Sequence, residues 1–427
     1  MEVLTRMRPD LVLGFALPSD PAAMSLIYHA VNAIGWILFA IWAIAAGLPT
    51  IWFIGRSLKR QSDQVSDPAE WPLVTVVVPA RDEGHKIEAG LKSLIASDYP
   101  NLQIIAIDDR SRDDTGAIMD QLAAEVTGPA FASPKSDSVG DCPRLRVVHV
   151  TTLPEGWLGK NHALQVGTEQ ARGEWVLFTD GDVVHRADTL RRTMKYALAR
   201  NLDHLPLFPN IEAHSVFEAA FVACFALVFT AGTQPGLVPS RFPWFYVGVG
   251  AYNLVRRSAL LRAGAFEPIR LDILDDVKLG KLMKRTGSRS EVLRAGDGLN
   301  IRWQQSAWLC VTGLEKNAFA SANYSVPQLL GTTAMAGIVF VGPLLGTLFA
   351  GDARTGYLAA LVLSHLIYGL SSRLFGHSFW IFPFLIPSGL AFLYAFLRST
   401  WITLRQGGVR WRDTFYPLKL LRQHVYH

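Results

Sequence analysis

The sequence predicts an α/β domain with a mostly parallel sheet, flanked by apolar segments that are long enough to cross a membrane. Between residues 71 and 320, short β-branched runs alternate with helical stretches, and ligands of such sheets bind at the carboxyl ends of the strands. Four long apolar segments lie outside this region. Because 50% of the 427 residues are hydrophobic and only 18% are charged, an intrinsically disordered chain is excluded.

The first apolar segment, Leu26–Gly55, contains no Asp, Glu, Lys or Arg in 30 residues. It is long enough for one tilted transmembrane helix, and it is too long and too far from residue 1 for a cleaved signal peptide. Arg56, Lys59 and Arg60 follow at once. The positive-inside rule therefore predicts a transmembrane helix over residues 26–55 with the following residues in the cytoplasm.

The α/β domain is predicted over residues 71–320, after a polar linker at residues 61–70. Its predicted elements are the strand Leu73–Val78, the helix Ile87–Ala96, the strand Leu102–Ile107, the helix Ser111–Val126, the strand Arg144–Val150 and the strand Trp175–Phe178. The stretch Thr127–Pro143 is rich in Ser, Gly, Pro and Asp, so we predict a surface loop there.

A C-terminal membrane region is predicted over residues 326–397. Its three apolar segments are Val326–Ala350, Thr355–Leu370 and Phe379–Leu397. Thr355–Leu370, at 16 residues, is marginal for a full crossing.

The tail at residues 398–427 has a charge of +5, which equals the formal net charge of the whole chain. Basic charge directly after an apolar stretch is typical of a membrane edge, whereas proteins that bind nucleic acid spread it over a folded face. We therefore expect a lipid bilayer and no nucleic acid as a partner. Four full crossings would place this tail outside, although the positive-inside rule favours the cytoplasm, so Thr355–Leu370 is the first candidate for a re-entrant or interfacial segment.

Three pairs of aspartates occur at strand ends or turns: Asp108 with Asp109, Asp180 with Asp182, and Asp275 with Asp276. Any single pair could be a helix cap or a solvated turn. Two carboxylates with one residue between them can also bind a hard divalent cation and leave coordination positions for a diphosphate. The three pairs together favour such a site more strongly than one pair would.

These motifs resemble those of glycosyltransferase family 2, whose catalytic domain has the GT-A fold. The matching segments are TVVVPARDE (Thr75–Glu83), IDDRSRDDT (Ile107–Thr115), GWLGKNHAL (Gly156–Leu164), LFTDGDV (Leu177–Val183), GVGAYNLVRRSAL (Gly248–Leu260) and LDDVKLGKLMKRTG (Leu274–Gly287). They span about 210 residues in the family's order. One leading apolar segment and three trailing ones also make the chain similar to lipid-modifying members, such as hopanoid-associated and carotenoid glycosyltransferases and ceramide glucosyltransferase.

The resemblance implies roles for individual residues. The nucleoside pocket would be lined by Pro79, Ala80, Arg81, Glu83, Asp108 and Asp109, and Lys160 would approach the base or the diphosphate. Asp180 and Asp182 would bind the Mg²⁺ or Mn²⁺ that bridges the diphosphate. Asp276 would be the general base, although the family commonly has Glu-Asp at this pair and Asp275 could exchange with it.

The family's QxxRW motif is half present, because Leu299 stands in the Gln position before Arg302 and Trp303. Arg302 could still pair with a phosphate. The loss of the glutamine argues against a processive polysaccharide synthase. On the acceptor side, the apolar stretch Ser215–Thr230 is either a core helix or a helix in the membrane interface that guides a lipid hydroxyl to the base.

The function expected from these observations is an inverting transfer of a single sugar from a nucleotide-sugar donor, expected to be UDP-linked, to a hydroxyl of a membrane lipid acceptor. The protein would be a multi-pass protein of a bacterial-type inner or plasma membrane with its catalytic domain in the cytoplasm. The alternatives are a processive polysaccharide synthase and a non-catalytic membrane scaffold that binds nucleotide-sugars. No oligomeric state is predicted.

Overall fold

The computed structural model describes residues 20–126 and 144–426, so the predicted loop Thr127–Pro143 lies outside the described residues. Contacts divide the chain into two units. The apolar unit comprises the residues up to Trp52, Ala213–Gln234 and Gln304–Arg405, and the sheet unit comprises Phe53–Glu212, Pro235–Trp303 and the residues from Gln406 onward. The predicted boundaries at 71–320 and 398–427 do not coincide with this division, because the sheet unit is interrupted by two insertions and includes residues after 406.

The sheet unit is built on an eight-stranded mixed sheet. Its strands are β1 (Val74–Ala80), β2 (Leu102–Asp109), β3 (Leu145–Val150), β4 (Trp175–Phe178), β5 (Val184–His185), β6 (His204–Ile211), β7 (Asn253–Arg256) and β8 (Leu293–Ile301). Their order in the sheet is β3-β2-β1-β4-β7-β6-β8-β5. The four strands predicted from sequence form the parallel half, and β7 pairs antiparallel with both β4 and β6.

Helices cover both faces of this sheet. Those of the sheet unit are α3 (Leu58–Ser62), α4 (Gly84–Ile95), α5 (Thr115–Val126), α6 (Gly159–Gln170), α7 (Thr189–Ala199), α9 (Arg257–Arg262) and α10 (Asp275–Arg285). Successive residues of β1 point to opposite faces, so Val76 and Val78 belong to one hydrophobic cluster and Val77 to the other. The two cores bury β1 and β4 completely and β2 from Gln103 onward, whereas the edge strand β3 is only partly buried. The loops at the carboxyl ends of these strands carry polar residues.

After residue 406 the chain forms a hairpin and a short helix. The hairpin strands β9 (Gly408–Trp411) and β10 (Thr414–Pro417) pair antiparallel, and α16 spans Leu418–Gln423. The tail predicted from its charge therefore has regular structure.

The apolar unit is helical. Its helices are α1 (Pro21–Ile41), α2 (Leu48–Ile54, which runs into the sheet unit), α8 (Val216–Thr233), α11 (Ala307–Gly313), α12 (Ala318–Ser321), α13 (Val326–Phe349), α14 (Thr355–Ser371) and α15 (Leu385–Gln406). Among the described residues, five helical runs are long and apolar enough to cross a membrane: Pro21–Ile54, Val216–Leu237, Val326–Phe349, Gly351–Phe375 and Phe379–Gln406.

The second of the three trailing apolar segments is longer than predicted. Turns of 3₁₀-helix extend α14 at both ends, so Thr355–Leu370 is part of a 25-residue helical run, Gly351–Phe375. At about 1.5 Å per residue such a run is long enough for the apolar core of a bilayer, so length does not argue against its crossing.

Candidate functional site

The candidate site lies at the carboxyl ends of β1, β2 and β4. These strands are parallel neighbours, so the loops that follow them meet at one edge of the sheet. Pro79 and Ala80 end β1, Asp108 and Asp109 end β2, and Asp180 is the second residue after β4. One small cavity is lined by Pro79, Lys160, Asp180, Asp275 and Asp276, among others, so members of four predicted motifs share it.

Lys160 connects the predicted metal motif to the predicted base pair. Its Nζ lies 2.8 Å from Asp180 Oδ1 and 3.1 Å from Asp275 Oδ2. Burial opposes the charge on this lysine, but the surrounding carboxylates Asp180, Asp275 and Asp276 outweigh burial and raise the pKa of Lys160 well above its ordinary value. Lys160 is therefore a cation at neutral pH, held between two acidic motifs that are about 95 residues apart in the chain.

A second lysine, Lys86, pairs with the other carboxylate of the predicted metal motif. Lys86 Nζ lies 3.0 Å from Asp182 Oδ2. Burial and the nearby charge of Asp180 raise the pKa of Asp182, although Lys86 acts in the opposite direction. Sequence reasoning missed Lys86, because a single lysine in the first turn of a helix carries no signal of its own.

Asp180 and Asp182 offer carboxylate ligands that fit a divalent cation. A bound diphosphate would complete the coordination of that cation. Each lysine pairs with one carboxylate oxygen, and carboxylate oxygens are the ligands that hard divalent cations prefer. Within residues 20–126 and 144–426, no group of three His, Cys, Asp or Glu side chains could hold a metal ion by itself. Mg²⁺ is commonly bound by one or two carboxylates together with substrate phosphates, and this site has the same number of carboxylates.

Asp275 and Asp276 have different environments although they are adjacent. Asp275 is buried and ion-paired with Lys160, whereas Asp276 accepts hydrogen bonds from the backbone N–H groups of Gly250 and Val277, both at 2.7 Å. Burial, together with the charge of Asp275, raises the pKa of Asp276 to about 6. Asp276 is therefore the member of the pair that changes its protonation state near neutral pH.

Close backbone contact brings Asp276 to this position. A Cβ atom at Gly248 would lie 1.7 Å from the carbonyl oxygen of Asp276, which no side chain could tolerate. A glycine is therefore required where the segment before β7 meets the first turn of α10.

The loops after β1 and β2 are joined by hydrogen bonds. Asp82 N–H donates to Ser111 Oγ at 3.1 Å, Arg112 N–H donates to Asp82 Oδ1 at 2.8 Å, and Glu83 N–H donates to Thr115 Oγ1 at 2.8 Å. The PARDE turn is thereby fixed against the turn that follows the first aspartate pair.

Asp108 and Asp109 have partners that the sequence did not predict. Asp108 Oδ2 lies 2.9 Å from His149 Nδ1, and both carboxylate oxygens of Asp109 accept hydrogen bonds from Arg110, at 2.7 and 3.0 Å. The hydrogen bond to Asp108 raises the pKa of His149. Arg110 and a histidine with a raised pKa therefore accompany the acidic pair at the end of β2.

Arg302 and Trp303 are half-buried and directly follow β8. In the sheet, β8 is separated from β4 by β7 and β6. The predicted half-motif therefore belongs to the other half of the sheet from the loops after β1 and β2.

Comparison with known proteins finds a family model that matches part of the chain. Residues 75–260 match the model of glycosyl transferase family 2. The chain is 26% identical over 209 residues to the probable glycosyltransferase YdaM of Bacillus subtilis (strain 168), which covers 46% of this chain and 44% of that protein. It is 27% identical over 130 residues to the putative teichuronic acid biosynthesis glycosyltransferase TuaG of the same organism, covering 30% of this chain and 44% of that one. The chain thus spans less than half the length of these curated relatives.

Among solved structures, the mannosyltransferase PcManGT from Pyrobaculum calidifontis, in complex with GDP-Man and Mn²⁺, aligns with a TM-score of 0.48 at 19% identity over 87% of this chain and 99% of that one. S. aureus TarS 1-349 in complex with UDP-GlcNAc aligns with a TM-score of 0.38 at 16% identity over 79% of this chain and 93% of that one. The sheet unit therefore has the mixed, Rossmann-like sheet of the GT-A fold, and residues 75–260 within it are similar to glycosyl transferase family 2.

Proposed function

We propose that this protein is an inverting glycosyltransferase that moves a single sugar from a nucleotide-sugar, expected to be UDP-linked, to a hydroxyl of a membrane lipid. The observation that carries the proposal is the charge cluster in which Lys160 joins Asp180 to Asp275, with Asp276 in the same cavity. A non-catalytic scaffold would have no use for a buried carboxyl with a raised pKa beside two ion-paired ones.

On the donor side, Asp180 and Asp182 would hold Mg²⁺ or Mn²⁺, which offsets the negative charge that develops on the departing diphosphate. Lys160 is a cation between these motifs and would contact the same diphosphate oxygens. The loops with Arg81 and Asp109 would hold the nucleoside.

On the acceptor side, Asp276 is proposed as the general base. A carboxylate oxygen of Asp276 takes the proton of the acceptor hydroxyl, while the hydroxyl oxygen forms a bond to the anomeric carbon. The bond from this carbon to the diphosphate oxygen breaks on the opposite face, so the anomeric centre is inverted. The environment favours Asp276 over Asp275, because Asp275 is already ion-paired with Lys160 whereas the pKa of Asp276 is raised.

The apolar unit supports a lipid acceptor. A groove of about 280 Å³ between α8, α11 and α15 is lined by apolar and aromatic side chains, including Phe217, Trp308 and Tyr394. Such a groove suits hydrocarbon better than a polar polymer.

Chain connectivity supports a cytoplasmic sheet unit with its tail on the same side. β6 pairs with β7, so the chain leaves the sheet and returns to it around Val216–Leu237, and both ends of this helix lie on one side of the membrane. The residues from Gln406 onward belong to the sheet unit as well, so the three helical runs between residues 326 and 406 make an even number of crossings. Under this proposal one of the three would not cross, and the basic tail would lie in the cytoplasm with Arg56, Lys59 and Arg60.

The proposal is tested by incubating the purified protein in lipid with radiolabelled nucleotide-sugars and extracted membrane lipids. We expect label in a lipid fraction, and no such product from the Asp276→Asn variant. Label in a water-soluble polymer would contradict transfer of a single sugar to lipid, and the absence of product with every donor would contradict the catalytic proposal.

A further inference from the structure

The hairpin of β9 and β10 lies against loops of the proposed donor site. Its two-residue turn consists of Arg412 and Asp413. Arg412 Nη2 donates to Glu83 Oε1 at 2.7 Å, and Asp413 Oδ2 accepts from Arg81 Nη2 at 3.0 Å. The two turn residues therefore contact two of the three charged side chains of the PARDE turn after β1, namely Arg81 and Glu83.

The same hairpin reaches two more segments of the site. Arg112, in the loop after β2, lies with its Nη1 3.2 Å from the Asp413 Oδ2 that also pairs with Arg81, so one carboxylate oxygen joins the loops after β1 and β2. Further along β10, burial raises the pKa of the Tyr416 hydroxyl, and the nearby backbone N–H of Gly159, the residue before Lys160, opposes this rise. The hairpin thus contacts the three segments that carry the proposed nucleoside and diphosphate residues.

Three non-glycine residues in these loops have left-handed backbone conformations. The φ angles are 51° at Asp82, 60° at Arg110 and 54° at Arg412. Such conformations cost free energy in non-glycine residues and concentrate at ligand sites, where the surrounding structure enforces them. Here they occur once in the loop after β1, once in the loop after β2 and once in the hairpin turn.

The exposure of the ion pair between Asp413 and Arg112 indicates that this pair positions the loops and contributes little to the stability of the fold. The side chain of Asp413 is 48% exposed and that of Arg112 is 74% exposed. Ion pairs in such surroundings contribute little to the free energy of unfolding. Arg412 instead opposes the effect of burial and of the Asp182 charge on Glu83, whose pKa is nevertheless raised.

We propose that the hairpin Gly408–Pro417 is part of the donor site, with Arg412 and Asp413 as positioning residues for the two loops that bind the nucleoside diphosphate. The inference rests on the proposed function, since it concerns affinity for the same donor. It adds a segment that follows the apolar helices to a site otherwise built from residues 75–276.

The test compares Arg412→Ala with Arg410→Ala in the full-length protein. Arg410 is an exposed arginine on the same hairpin with no ion pair among the described residues, so both variants lose one positive charge from the same element. For Arg412→Ala we expect the KM for the donor and the Kd for UDP or GDP with Mn²⁺ to rise about five- to thirty-fold, with kcat changed less than about threefold. Arg410→Ala should match the wild type, and Arg412→Lys should recover most of the lost affinity because it restores the charge.

Equal KM and Kd values for Arg412→Ala and Arg410→Ala would overturn the hairpin proposal. A parallel fall in kcat and in the unfolding temperature without a change in Kd would also overturn it, because it would indicate a purely structural role. If the wild-type protein itself bound neither nucleotide and transferred no sugar, the proposed function would fail instead, so the two failures are distinguishable.

Discussion

Replacing Asp276 by asparagine removes the proposed base while keeping the size of the side chain. The carboxylate accepts two backbone hydrogen bonds, from Gly250 and Val277, each at 2.7 Å. An amide accepts only one of them and turns its NH₂ group toward the other donor, so one buried N–H loses its partner. We expect a loss of about 1–3 kcal/mol in the free energy of unfolding.

The effect on the reaction should be larger than the effect on the fold. Loss of general base catalysis lowers kcat by about 10²- to 10⁴-fold, which corresponds to about 3–5 kcal/mol of activation free energy at 1.36 kcal/mol for each factor of ten. UDP affinity should change little, because Asp276 is proposed to contact the acceptor and not the nucleotide.

The assay measures initial transfer rates with a radiolabelled donor, together with UDP binding and thermal unfolding of the same preparations. Asp297→Asn is the matched control, since this side chain is 76% exposed and pairs only with Arg186 among the described residues. Asp275→Asn removes a partner of Lys160 and should weaken donor binding as well as turnover. If Asp276→Asn retains more than about a tenth of the wild-type kcat, Asp276 is not the base.

Three further outcomes follow from the same geometry. Asp182→Asn should weaken UDP binding in the presence of Mn²⁺ and leave metal-free binding unchanged, and equal losses under both conditions would exclude a metal role. The pKa of Asp276 is raised to about 6, so its ionised form is lost as the pH falls through 6. Below that pH, kcat/KM should decrease about tenfold per pH unit. A pH profile of kcat/KM that stays flat down to pH 5 would contradict this expectation. Gly90→Ala would place a Cβ 2.2 Å from the carbonyl oxygen of Gly181 in the metal motif, so calorimetry should show a loss of about 1–3 kcal/mol in the free energy of unfolding. The control Gly232→Ala, with no atom within 4 Å of its Cβ, should not be destabilised.

The parallel half of the sheet could be predicted because its strands are continuous apolar runs. Strand β6 contains Pro206 and Pro209, and β8 contains Gly296 and Gly298, so the usual signals for a strand are weak there. β5 has only two residues. These segments are strands because they pair with strands that are adjacent in the sheet but distant in the chain. Such pairing leaves no periodic pattern in the sequence.

The acidic side chains of the site were predictable, whereas their cationic partners were not. The aspartates occur as adjacent or alternating pairs, which is a local pattern. Lys86 pairs with Asp182 across 96 positions and His149 pairs with Asp108 across 41, so only the fold reveals these contacts. The charge of the tail predicted a membrane edge. A charge count treats Arg410 and Arg412 as equal, although their surroundings in the structure differ.

The interrupted course of the chain through the sheet unit has a practical consequence for preparing this domain without detergent. A truncation after Trp303 would keep all eight strands of the sheet and lose the hairpin. A soluble version would require two designed linkers, one from Glu212 to Pro235 and one from Trp303 to Gln406. During synthesis, the ribosome completes the strands of the sheet about 100 residues before it makes the hairpin. The residues proposed to position the donor loops are therefore made only after the apolar helices have been translated.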